Sequence, residues 1–267
     1  MIAMLVTLGI IFIMLLLYVF LICPSLKIHP QKAKLKGLHV AHRGLHNGTI
    51  PENSLSSCRA AISGGYGIEI DIHVVADGEI VVFHDNTLKR MCGIDRNIEE
   101  MTLKEIKQLR LLGTDCTIPT LQECLDTVNG TVPLLIEFKA DTPEKAKILC
   151  QRANEILKGY KGEYFVQSFN FLVLSWYRKN RPDVLRGQLS TAFKGEELYK
   201  KAVANLLTNV IARPHFISYE HKYPNNLSLK INKILGAELI CWTLKDQDQL
   251  EKAKRSFSGF IFEDFIP

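Results

Sequence analysis

The chain has 267 residues, 33 of them lysine or arginine against 28 aspartate or glutamate, for a formal net charge of +5. Much of that excess lies just behind an uncharged opening stretch, and no aromatic-interleaved basic motif follows. The balance argues against a nucleic-acid-binding surface and for a basic tether at a membrane. Cys58, Cys92, Cys116, Cys124, Cys150 and Cys241 are scattered singly without CxxC spacing, which excludes an obvious disulfide framework and fits a reducing compartment.

From Met1 to Leu26 no residue is charged, and Leu, Ile, Val, Met and Phe dominate. About 20 apolar residues in a helix cross a hydrocarbon core of about 30 Å. No lysine or arginine precedes the run, and it ends at Cys23-Pro24 without a small-x-small site. A transmembrane anchor over 1–26 is therefore expected rather than a cleaved signal peptide. Lys27, Lys32, Lys34, Lys36 and Arg43 follow. Positive residues beside a span stay on the cytoplasmic side, so a basic linker over 27–37 and a cytosol-facing domain at the cell membrane are expected. The remaining length, 38–267, suits one barrel or two ordinary domains.

Beyond the linker, short apolar runs alternate with helical patterns. The runs are Leu38–Ala41, Ile68–Val75, Glu79–Phe83, Pro133–Phe138, Tyr164–Ser168, Val184–Leu189, Phe216–Tyr219, Glu238–Thr243 and Phe260–Phe262. Asn53-Ser54 can cap a helix through Ile62 that Gly64-Gly65 stops. Thr102-x-x-Glu105 and Thr120-x-x-Glu123 read as capping boxes, each side chain satisfying an orphan backbone donor of the other. Thr142-Pro143 opens a helix ending near Gly159, and Asp246 caps the last one. The rhythm predicts parallel strands with crossover helices, an α/β chain. Nine runs are one too many for an eight-stranded barrel. Asp77-Gly78 is a hairpin signal, so Glu79–Phe83 is expected to be the return arm of a hairpin growing from the second strand. From Asp85 to about Thr120 the pattern is polar with one short helix, and about 76–120 is expected to form an insertion above the barrel mouth.

Ionisable groups sit where strands should be apolar. In Glu69-Ile70-Asp71-Ile72-His73, alternation puts Glu69, Asp71 and His73 on one face and Ile68, Ile70 and Ile72 on the other. In a barrel the isoleucines meet the helices and the acids point inward, where bare anions need a counter-charge. The same logic places Glu137 and Lys139 of Ile136-Glu137-Phe138-Lys139 on one face. Three carboxylates, Glu69, Asp71 and Glu137, suit one hard divalent cation, Mg2+ or Ca2+ with Mn2+ also compatible; His73 keeps zinc open. His42-Arg43-Gly44 ends the first strand and His84-Asp85 ends the hairpin arm. Cleaving a phosphodiester takes charge neutralisation, a base for the nucleophile and an acid for the leaving oxygen. The cation with Arg43 and Lys139 supplies the first, and His42 and His84 supply the others, since imidazole titrates near neutral pH. Taken singly, a strand-end histidine is more often a structural hydrogen-bonder, and Glu-x-Asp or Glu-x-Lys more often an ion-paired strand. In this order they point to a site.

His42-Arg43-Gly44, Pro51-Glu52-Asn53-Ser54, Glu69-x-Asp71, Asp77-Gly78, His84-Asp85 with Thr87-Leu88-x-Arg90, Ile118-Pro119-Thr120-Leu121 and Ile136-Glu137-x-Lys139 resemble the glycerophosphodiester phosphodiesterase family. The likeness continues more faintly through Gln167-Ser168-Phe169, Cys241-Trp242-Thr243 and 259–264. The resemblance implies a TIM-type (β/α)8 barrel that hydrolyses glycerophosphodiesters to glycerol 3-phosphate and an alcohol with a divalent ion. It implies His42 and His84 as the acid–base pair, Glu69, Asp71 and Glu137 as metal ligands, Arg43 and Lys139 as phosphate contacts, and Trp242 as lining the glycerol or alcohol side. The chain departs from the family at Leu135, at Leu244-Lys245 and at Phe262-Glu263-Asp264-Phe265. These changes leave the chemical groups intact and open the reading to lysophospholipid substrates; a non-catalytic phosphoglycerol-binding module is the remaining alternative.

Overall fold

The computed structural model describes residues 1–193 and 198–267. Its strands are β1 (His39–Ala41), β2 (Gly67–Val74), β3 (Ile80–Val82), β4 (Leu134–Phe138), β5 (Tyr164–Ser168), β6 (Arg186–Ser190), β7 (Phe216–Glu220), β8 (Glu238–Leu244) and β9 (Gly259–Phe262). β1 pairs in parallel with both β2 and β9. That closes β1, β2 and β4 through β9 into an eight-stranded parallel barrel with helices outside. β3 pairs antiparallel with β2 alone, as the Asp77-Gly78 turn requires. β2 is long because Ile68–Ile72 pair with β4 while Ile72–Val74 run on past the rim to pair with β3.

Alternation decides what each strand face meets. Ile68, Ile70, Ile72, Leu134, Ile136 and Phe138 face outward into the layer that holds Cys58, Ala61, Leu121 and Leu149 of the surrounding helices. The inner face carries a separate apolar plug of Val40, Leu135, Phe165, Leu185, Phe216, Ile240 and Ile261. Gly187 of β6 is needed there, because a Cβ would lie 2.0 Å from the Phe216 ring. The helix starts expected from caps are present at Ser54, Thr102, Thr120, Thr142 and Asp246.

The insertion holds more than the one short helix expected. Lys89–Cys92 and Leu103–Ile106 are α-helical, and 3-10 turns lie at Ile98–Glu100 and Leu111–Gly113. Leu88, Met91, Ile98, Met101, Ile106, Leu111 and Ile118 are spaced too irregularly for one amphipathic helix. With Val75, Val81 and Phe83 they build a small core of their own.

The linker differs from a free basic tether. Residues Lys32–Leu35 form a 3-10 turn across the floor of the barrel, the end where the strands begin. Leu35 is fully buried against the inner plug. Lys32 donates to the Gly236 carbonyl, Lys34 pairs with Glu163, and Lys36 lies 3.7 Å from Glu238. The strand ends at the floor offer carbonyls and acids that these lysines satisfy. Leu35→Ala is expected to cost about 2–5 kcal/mol, the range for emptying a buried leucine site, read as a lower urea midpoint for the detergent-solubilised chain.

The helix Ile2–Ile22 is long and apolar enough to cross a membrane. Met1 to Leu17 are exposed, and only the last turns touch the barrel.

Candidate active site

The mouth, where the strands end, holds a cleft of about 300 Å³ lined by residues that include His42, Arg43, Glu69, His84, Glu137, Lys139, Trp242 and Glu263. Alternation along β2 and its register with β4 place the acids. Asp71 is the cross-strand neighbour of Glu137, and Glu69 of Leu135. Glu69, Asp71 and Glu137 are all buried, and one carboxylate oxygen from each lies within 4.8 Å of the others. The three acids expected to converge therefore do.

Their counter-charges are few. Lys139 Nζ lies 2.9 Å from Asp71 Oδ1 and 2.5 Å from Glu137 Oε1. The Arg43 backbone N–H donates to Glu69 Oε2 at 3.0 Å, and its guanidinium is shared between Glu52 at 2.8 Å and Asp71 at 3.6 Å. Asn53 Nδ2 donates to Asp71 Oδ2 at 2.9 Å. Burial, then repulsion from Asp71 and Glu137, pushes the Glu69 carboxyl well above its ordinary range. Burial likewise raises Glu137. Burial would raise Asp71 too, but Lys139, His84, Arg43 and His42 outweigh it and hold that carboxyl low. Buried Asp71 Oδ1 completes no well-directed hydrogen bond in spite of the nearby ammonium. Crowded, buried oxygen donors with a spare acceptor atom fit a hard divalent cation.

His73 takes no part in this cluster. Its Nδ1 lies 3.0 Å from Glu99 and its Nε2 3.3 Å from the His84 carbonyl oxygen, so it ties the insertion to β2. The clustered donors of Glu69, Asp71 and Glu137 are therefore all oxygen.

The turn after β1 presents His42. Arg43 and Gly44 both have positive φ, at 56° and 77°. A Cβ on Gly44 would lie 2.3 Å from Ser57 Oγ, so only glycine lets this turn pack on the following helix. His42 Nδ1 bonds Glu263 Oε2 at 2.6 Å, and His84 Nδ1 bonds Asp85 Oδ1 at 2.7 Å. Each bond leaves Nε2 as the nitrogen open to the cleft. Burial lowers both imidazole pKa values. Asp85 and Glu52 are in turn bridged by Arg90, with contacts of 2.6–3.1 Å.

Trp242 stands edge-to-face with Phe169, ring centroids 5.9 Å apart, and donates from Nε1 to the Ser218 carbonyl at 3.3 Å. With Leu189 these rings form an apolar wall of the cleft. Lys245 is bound to Glu263 at 2.8 Å rather than standing free at the mouth. Glu263 carries no signature in the sequence: its partner His42 is 221 residues away, and no local pattern announces the contact.

The profile of the glycerophosphoryl diester phosphodiesterase family matches residues 42–266. A glycerophosphodiester phosphodiesterase of Caldanaerobacter subterraneus is 30% identical over 245 residues, covering 86% of this chain and 95% of the relative. A lysophospholipase D of Rattus norvegicus is 25% identical over 270 residues, covering 86% and 84%. The solved structure of an Oleispira antarctica phosphodiesterase in complex with the product sn-glycerol-3-phosphate shares the fold, with a TM-score of 0.73, 24% identity and coverage of 87% and 95%. With its profile matched from His42 nearly to the last residue, the chain belongs to the glycerophosphoryl diester phosphodiesterase family.

Proposed function

We propose that the protein hydrolyses glycerophosphodiesters to glycerol 3-phosphate and an alcohol, with Glu69, Asp71 and Glu137 holding one divalent cation and His42 and His84 as the acid–base pair. The observation that carries this reading is the clustering of three buried carboxylates, of which Glu69 and Glu137 line the same cleft as both imidazoles. Oxygen-only donors favour Mg2+, Ca2+ or Mn2+. When bound, the cation neutralises charge on the non-bridging phosphate oxygens. Arg43 contacts the same phosphate from the turn after β1. Lys139 keeps its proton, because Asp71 and Glu137 outweigh the effect of its burial, and it adds a second positive group. One imidazole accepts the proton of the nucleophile at Nε2, and the other donates a proton to the leaving oxygen. The nucleophile is either the glycerol 2-hydroxyl or water; trapping a cyclic phosphate separates the two. Turnover of glycerophosphoethanolamine in the presence of Mg2+, Ca2+ or Mn2+ tests the activity, and no turnover with any of them rejects it.

A second reading, cleavage of lysophospholipids, is favoured by the apolar wall of Phe169, Leu189 and Trp242. It is favoured too by the helix Ile2–Ile22, which we read as a membrane anchor with the barrel in the cytosol. Comparing kcat/KM for lysophosphatidylethanolamine and glycerophosphoethanolamine ranks the two substrate classes. Protease reaching the barrel from outside intact cells would reject the cytosolic placement.

Glu263 is a positioning residue for His42. Burial lowers the His42 pKa, and Glu263 pulls it back up through its hydrogen bond and charge. Glu263→Gln removes the charge, so the His42 pKa falls further and the limb it sets in the pH profile of kcat/KM moves to lower pH. Movement of the acid limb identifies His42 as the base, movement of the alkaline limb identifies it as the acid, and a profile that stays in place rejects the coupling.

A further inference from the structure

Contacts along the anchor helix fix its direction relative to the mouth. Leu227–Ile234 follows β7, so it starts at the mouth and descends to the floor, where β8 begins. Tyr18 Oη lies 2.8 Å from Ser228 Oγ, near the top of that helix. One turn later, the Ile22 carbonyl accepts from Asn209 Nδ2 at 2.8 Å, and Asn209 also reaches Asn232 at 3.2 Å, one turn lower. At the floor, Arg213 Nη1 donates to the Phe20 and Cys23 carbonyls at 3.0 and 2.8 Å, and the Ser25 N–H donates to the Pro214 carbonyl at 2.7 Å. The anchor therefore runs from mouth to floor as it enters the barrel, and its earlier residues project from the mouth side.

Length then sets where the bilayer lies. Ile2 to Leu17, the stretch clear of the barrel, spans about 24 Å at about 1.5 Å per residue. A hydrocarbon core is about 30 Å thick, so the last apolar turns, packed on the barrel, are needed to complete the span. This draws the mouth rim up to the lipid. That rim is apolar on the side of the anchor: Leu198 is 85% exposed, Tyr199 52% and Leu227 63%. Tyr199 sits 6.3 Å from Phe171, just after the mouth end of β5, and Leu227 opens the helix after β7. Exposed leucines beside an aromatic at this level match a membrane-interface contact.

We propose that the mouth rim of the barrel rests on the bilayer, with Leu198, Tyr199 and Leu227 in the interface, so that a lysophospholipid enters the cleft directly from the lipid leaflet. The proposal rests on the anchor and phosphodiesterase readings above and adds the source of the substrate and the face that meets it. The headgroup phosphate reaches Arg43 and the imidazoles while the acyl chain stays against the apolar wall and the lipid.

Two measurements on the full chain in phosphatidylcholine vesicles test this. Leu227→Trp and Ile234→Trp place a reporter at the mouth end and the floor end of one helix, both at exposed positions. Phosphatidylcholine brominated on its acyl chains is expected to quench the first and spare the second. Equal quenching at both, quenching of Ile234→Trp alone, or no quenching at either overturns the docking. The double variant Leu198→Glu/Leu227→Glu is expected to lower kcat/KM for lysophosphatidylcholine in vesicles about tenfold, the factor that about 1.4 kcal/mol of lost interfacial binding gives, and to leave water-soluble glycerophosphocholine unaffected. Undiminished vesicle turnover, or a matching loss on the soluble substrate, overturns it. If the parent turns over neither substrate, the activity reading fails by itself, and the quenching pattern still decides the docking.

Discussion

His42→Ala and His84→Ala are each expected to lower kcat by about 10²–10⁴, the usual scale for losing a positioned acid or base. Both imidazoles are held through Nδ1 by a carboxylate, Glu263 for His42 and Asp85 for His84, and both line the cleft with Glu69 and Glu137. Because the two act on one reaction, the double variant is expected to lose much less than the product of the single losses. Steady-state turnover of glycerophosphocholine, with KM measured separately, checks this. Retention of most of kcat in either single variant would remove that histidine from the chemistry.

Removing the cation is the second large effect expected. Chelation should abolish turnover, and adding back Mg2+, Ca2+ or Mn2+ should restore it. Glu137→Gln should weaken cation binding strongly while leaving the fold intact, since glutamine keeps the shape and Lys139 keeps its ion pair with Asp71 at 2.9 Å. Isothermal titration of the metal-free chain reads the affinity without reference to activity. An unchanged affinity in Glu137→Gln, or turnover indifferent to chelator, would remove the three-carboxylate site from the account.

Much of this site is legible in the sequence because strand alternation is a strict rule. Once Ile68, Ile70 and Ile72 are assigned to the helix-facing side, Glu69 and Asp71 have nowhere to point but inward, and Glu137 follows from the same rule on β4. The hairpin is readable from Asp77-Gly78, and with it the strand count. What was not readable depends on contacts distant in sequence. Glu263 finds His42, Arg90 bridges Glu52 and Asp85, and Leu35 closes the barrel floor. Charge alone marks the linker lysines as a basic segment and does not reveal that Lys34 and Lys36 also meet Glu163 and Glu238. The insertion reads as polar because its apolar residues follow no single period, although together they pack.

A crystal grown with Mn2+ tests most directly whether the inward acids share a single ion. Anomalous diffraction at the manganese edge should give one strong peak within coordination distance, about 2.0–2.6 Å as for the other hard divalent ions, of oxygens from Glu69, Asp71 and Glu137. A peak elsewhere in the barrel, or none at saturating Mn2+, would contradict it.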